Sequence, residues 1–129
     1  MAVPTILAFN LDDGAADALK KVCDSMKLRM KAVPRESFSM PLGGMVGLQV
    51  TSAMNAVTQG FDDPMLVMCG LDEHTLDTFL RVMRYSAVPP IPLKAILTST
   101  NAAWSALTLH EELCREHEQM QRMRSQKRD

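Results

Sequence analysis

Residues 4–13, PTILAFNLDD, return sixty positions later as PMLVMCGLDE at 64–73, and Asp17 falls on Asp77 at the same shift. Each copy is a proline, a short run that is apolar on both sides of an extended chain, a turn, and an acidic pair. That order suits a strand buried on both faces, feeding a helix whose start is capped and charged by the acids. Ala15, Leu19, Val22 and Met26 then recur at helical spacing in the first copy. Leu76, Phe79, Leu80 and Met83 do so in the second, over a helix from Asp72 to Ala87. Beyond the helices, Lys31-Ala-Val is laid over Lys94-Ala-Ile with three residues inserted. The chain therefore reads as βαβ, loop, βαβ and a terminal helix.

Two such units can pair into a four-stranded sheet with both crossover helices on one face, so the expected class is α+β, ferredoxin-like, plus a long C-terminal helix. Arg29 to Val33 alternates basic and apolar residues, as an edge or half-exposed strand would. Lys94 to Leu97, by contrast, reads as a mostly buried strand, with Leu93, Ala95 and Leu97 on one side. The first and third strands are greasy on both sides, which demands a cover for the second face. The terminal helix, a partner subunit, or both are expected to supply it.

One domain is expected over residues 1–129. It divides into a first unit with a glycine-containing segment (1–47), a loop (48–63), a second unit (64–98), the terminal helix (99–120) and a frayed tail (121–129). In SFSMPLGGMVG at 37–47 a phosphate-cradling loop is the sharper reading. It lacks both the Walker lysine and the dinucleotide glycine spacing, and a single helical turn packed on the sheet is the plainer one.

The apolar share of 47% belongs to a globular chain, with eleven methionines filling a core poor in aromatics. A net charge of −1 argues against nucleic acid held by a bulk field. Cys23, Cys69 and Cys114 are far apart and lie in apolar segments, suiting buried thiols in a reducing compartment. No basic leader precedes the first strand and no window approaches a membrane span, so a soluble, cytoplasmic protein without membrane contact is expected.

The terminal helix carries the oddest feature. His110, Cys114 and His117 lie on one stripe with the apolar positions, at spacings that would suit zinc or copper ligands. A zincin helix would need histidine where Cys114 stands, and a fourth ligand is not evident. The expectation is therefore no metal and no other cofactor, with two histidines at an interface. The turn ahead of the helix holds a second constellation: Lys94, Thr98, Asn101 and Trp104. Free amides at a helix start could receive a small anion there. The plainer alternative is a cap in which Thr98 bonds the amide at Asn101 and Asn101 holds the turn in return.

MLVMCG at 65–70, LKAILTSTNAAW at 93–104 and HEELCREH at 110–117 also resemble a small bacterial family, domain of unknown function 3783. Its block lKavlT-x-x-N-x-x-W, followed by E-x-x-x-E-H, is matched by Lys94, Thr98, Asn101, Trp104, Glu112, Glu116 and His117. In the first half, NLDD at 10–13 and PLGGMVG at 41–47 resemble the N-terminal part of longer members. The resemblance implies a shared fold and nothing catalytic, and His110 falls outside the pattern.

The function expected is a non-enzymatic binding or assembly module that self-associates through the open sheet face and the helix from Ala102 to Met120. The alternative is a sensor or enzyme for a small anionic ligand bound near Thr98 and Asn101.

Overall fold

The computed structural model describes residues 4–34, 37–38, 40–46 and 61–126, with side chains as far as 123. Residues 48–60 of the loop expected at 48–63 and the end of the tail from 127 lie outside the described residues. The elements are β1 (Thr5–Phe9), α1 (Asp13–Ser25), β2 (Arg29–Ala32), α2 (Leu42–Met45), β3 (Met65–Cys69), α3 (Glu73–Arg84), β4 (Leu93–Ile96), a 3-10 turn (Asn101–Ala103) and α4 (Ala106–Gln126).

They form an α+β fold around one four-stranded mixed sheet of order β2-β1-β3-β4. β1 runs parallel to β2 and β3 parallel to β4, while β1 and β3 meet antiparallel at the centre. Within each βαβ unit the two strands are adjacent. A split, ferredoxin-like unit would have a strand of the other unit between them, so in strand order the fold departs from that expectation.

The repeat is visible in local geometry. Asp12 accepts from the Ala15 amide at 2.7 Å and Asp72 from the Thr75 amide at 2.7 Å, each with an extended backbone at the cap. One residue past each strand the chain turns left-handed, at Asn10 (φ 59°) and Gly70 (φ 75°). Asparagine and glycine are the residues that accept this conformation readily.

At the second strands the sequence alignment slips by one. Thr5 pairs with Arg29 and Met65 with Leu93, so the second unit is longer by four residues, not three. A one-residue slip exchanges the faces of a strand. Lys31 stands beside Leu7 on one face and donates to the Met45 carbonyl at 2.9 Å, whereas Lys94 stands beside Leu66 on the other.

Every residue of β1 and β3 is buried. Ile6, Ala8, Leu66 and Met68 pack with Leu19, Val22 and Cys23 of α1 and Phe79 of α3. Leu7, Phe9, Met65, Val67 and Cys69 pack on the other face with Phe38, Leu42, Met45, Phe61, Ala106 and Leu109. Each fully buried Leu, Val, Met or Phe contributes about 1.5–3 kcal/mol, which is why neither face stays wet. The second face is thus covered by the chain's own α2 and first half of α4, and is not left open for a partner as the sequence had allowed. The edges are less protected. β2 is largely exposed, as expected, but so is much of β4, where Lys94 and Ile96 point to solvent.

α4 differs from expectation at both ends. The helix does not run uninterrupted from the Thr98 turn, because Trp104 is extended (φ −80°, ψ 147°). Three backbone ties to the preceding segment hold it so. Leu42 donates to the Trp104 carbonyl, Ala106 donates to the Phe38 carbonyl, and Pro41 bridges Ser105. Ser105, not Thr98, then caps α4 by accepting from the Thr108 amide at 3.2 Å. At the other end the helix continues to Gln126, past the expected stop at 120, since residues 121–126 contain neither Gly nor Pro to break it. Among the described residues no helix is long and apolar enough to cross a membrane.

Candidate functional site

Three polar side chains converge where α4 crosses the chain just ahead of β3. His110 Nε2 lies 2.8 Å from Asp63 Oδ2 and 3.5 Å from Cys114 Sγ. The three donor atoms all fall within 4.8 Å of one another. His110 and Cys114 are one helical turn apart, so their side chains stack along one stripe. Asp63 reaches them from the other element.

The surroundings hold this geometry. The Phe61 and His110 rings stack with centroids 4.1 Å apart and planes 8° from parallel. Phe61 stacks in turn on Phe38 at 4.7 Å, and Phe9 meets Phe38 edge-on. Asn10, in its left-handed turn, donates from Nδ2 to the carbonyls of Phe61 (2.7 Å) and Asp63 (3.1 Å). The apolar core thus fixes the plane of the imidazole, and one amide side chain fixes the segment bearing the carboxylate.

The site is accessible. Asp63 is 63% exposed and His110 17%. A groove of ≈ 260 Å³ opens beside it, lined by Asp63, Pro64, Leu93, Cys114, His117 and Glu118 among others. Burial raises the Cys114 thiol above its ordinary pKa, and the negative charges of Asp63 and Glu118 add to the rise. The other two thiols are structural: burial pushes Cys23 to about 11, with help from Asp24, and Cys69 to about 12. His117 points outward, 3.2 Å from Gln121.

Lys94, Thr98, Asn101 and Trp104 do not converge. Lys94 is on the α3 side and its Nζ donates to the Ile91 carbonyl, whereas Trp104 is half-buried against the cluster on the opposite face. Thr98 and Asn101 close a turn on each other. Thr98 N donates to Asn101 Oδ1 (2.8 Å), Asn101 N to Thr98 Oγ1 (3.1 Å), and Asn101 Nδ2 to the Ile96 carbonyl (3.0 Å). The start of α4 lies beyond them, so no long-helix dipole is aimed at this turn. Lys94 instead lines a larger cavity of ≈ 660 Å³ with Leu80, Met83, Arg84, Val88 and Ile91.

Sequence reasoning missed Asp63, Phe61 and Asn10. The only signal for Phe61 was an aromatic residue in an otherwise small and polar stretch. For Asp63 there was none, since acids before a proline are ordinary loop residues.

No curated protein and no solved structure matches the chain. Residues 64–120, which run from β3 into α4 and carry His110 and Cys114 but not Asp63, match the family model described as domain of unknown function DUF3783, and over that stretch the chain resembles this family.

Proposed function

We propose that the chain is a binding and assembly module that pairs with a second copy of itself through the projecting half of α4. The observation that carries this reading is the exposure of Met120 (56%) and Met123 (59%) on a helix whose first half is docked. α4 has 21 residues, about 31 Å at 1.5 Å per residue. Ala106 and Leu109 are buried and Leu113 and Cys114 half-buried, but every residue from Arg115 to Met123 is exposed.

The docked stripe of Ala106, Leu109 and Leu113 continues at heptad spacing through Glu116 to Met120 and Met123. A helix half held off the protein body has no tertiary packing to stabilise it, and such a segment needs a partner. Charge favours an antiparallel twin. Glu111, Glu112, Glu116 and Glu118 lie toward the start, while the sequence from 122 on carries Arg122, Arg124, Lys127 and Arg128. Head-to-tail pairing sets acid against base at both ends of a two-fold contact.

Sedimentation or light scattering over a wide concentration range tests the reading. The chain should be a dimer that the Met120→Glu, Met123→Glu double variant converts to a folded monomer. A strict monomer at every concentration, or a variant that stays dimeric, contradicts it.

One cavity supports a second reading, a sensor for a small ligand with an apolar body and an anionic end. Lys94 and Arg84 both line the ≈ 660 Å³ space, whose remaining walls are mainly apolar. Its test is binding of a medium-chain carboxylate that is lost in Arg84→Ala with the fold intact.

A further inference from the structure

We propose that Asp63, His110 and Cys114 form a binding site for a single divalent ion of the zinc class, fastening α4 to the segment ahead of β3. The proposal is independent of self-pairing, since its donors lie in the docked half of α4 and on the segment ahead of β3.

The first argument is the crowding of donors on one atom. His110 Nε2 faces both the Asp63 carboxylate and the Cys114 sulfur. With its proton on Nε2 the ring can donate to Asp63. With the proton on Nδ1 it can accept from the Cys114 thiol. It cannot do both at once, so only one of the two contacts at Nε2 is a hydrogen bond at any moment. A metal ion at the centre satisfies all three together.

The second argument is geometric. Zinc bound at 2.0–2.1 Å to nitrogen, 2.0–2.2 Å to oxygen and 2.3 Å to sulfur places tetrahedral ligand atoms about 3.3–3.7 Å apart. The nitrogen-to-sulfur separation of 3.5 Å already fits. The nitrogen-to-oxygen separation of 2.8 Å needs the exposed Asp63 side chain to retreat by a few tenths of an ångström. Imidazole, thiolate and carboxylate together suit zinc, whereas calcium or magnesium would want oxygen alone.

Support around the ligands is the third argument. Stacking on Phe61 holds the ring plane, and the two Asn10 hydrogen bonds hold the backbone at 61 and 63. Oriented supports of this kind decide whether donors that lie close together act as a site. The groove beside the three donors is also lined by His117, one turn beyond Cys114, and by Glu118. Glu118 adds negative charge beside it.

Binding is read with cobalt(II) as the probe on the full chain after treatment with a chelator. Titration should give visible bands of a tetrahedral ion and a near-ultraviolet thiolate-to-cobalt band, saturating at one ion per chain and displaced by zinc. Cys114→Ser should lose the thiolate band with its circular dichroism unchanged. Asp63→Asn should weaken binding by more than the roughly 10–100-fold that loss of a mere supporting residue produces. The proposal is overturned if no such bands appear, if the thiolate band survives in Cys114→Ser, or if saturation comes at half an ion per chain with a cobalt-dependent dimer.

Discussion

Replacing Phe61 by alanine tests how the second face of the sheet is closed. Phe61 is 7% exposed and touches three rings: Phe38 at 4.7 Å, Phe9 at 6.1 Å and His110 at 4.1 Å. Truncating a buried phenylalanine costs about 3–5 kcal/mol from lost transfer energy and the cavity left behind. Each ring pair adds about 0.5–1.5 kcal/mol. A loss near the upper end, about 5 kcal/mol, follows. Measured against a typical domain stability of about 5–15 kcal/mol, that takes most of the margin. Phe61→Leu keeps most of the volume and should lose only about 1.5 kcal/mol. Urea unfolding reads both, with an unchanged slope expected for the leucine variant. A double-mutant cycle with His110→Ala should leave a coupling of about 0.5–1.5 kcal/mol, the part due to the His110 stack. If Phe61→Ala costs less than about 1 kcal/mol, the size of a surface substitution rather than a core truncation, the segment ahead of β3 is not part of the core and the reasoning fails.

Three further outcomes are expected. Asn101→Ala should cost about 2–3 kcal/mol in denaturant unfolding, because a largely buried side chain loses two hydrogen bonds and leaves the Thr98 amide and the Ile96 carbonyl short of partners; a loss under about 0.5 kcal/mol, below the net worth of even one such bond, would mean the turn is not held this way. Alkylation of the native protein at pH 8 should modify Cys114 before Cys23 and Cys69, whose burial keeps them neutral and covered, and equal rates at all three would count against the burial described. The Asp72 carboxyl lies below its ordinary pKa, chiefly through the hydrogen bond from the Thr75 amide. Its stabilising effect is therefore present above the ordinary carboxylate range and lost as pH falls through the lowered folded value. The stability gap between the wild type and Asp72→Ala should close toward low pH, and a gap constant from neutral to strongly acid pH would refute this.

Where one structural requirement acts on one residue, the sequence is plain. The doubled run of apolar residues places β1 and β3 at the centre, because only a strand covered on both faces tolerates Thr5–Phe9 or Met65–Cys69. Asp12 and Asp72 mark two helix starts for the same local reason. The Thr98–Asn101 turn was visible as a capping pair, each residue meeting the other at three positions' distance. Register was harder. Lys-Ala occurs in both second strands and invites a match, yet the pairing of Thr5 with Arg29 and Met65 with Leu93 sets the two lysines on opposite faces. Nothing local distinguishes a three-residue from a four-residue insertion. The break at Trp104 was hidden for a similar reason, since backbone bonds to Phe38 and Leu42, more than sixty residues away, cause it. Of the candidate metal site, the helix supplied the spacing of His110 and Cys114. Asp63 comes from a stretch with no periodicity, and only the fold brings it within 2.8 Å.

Hydrogen exchange followed by mass spectrometry at low and high protein concentration bears most directly on the division of α4 into a docked and a pairing half. Amides of β1, β3 and residues 106–114 should be protected equally at both concentrations, with 115–123 slowing only at the higher one. Exchange of 106–114 as fast as 115–123, or rapid exchange of 115–123 at every concentration, would show that α4 neither covers the sheet nor meets a twin in the manner described.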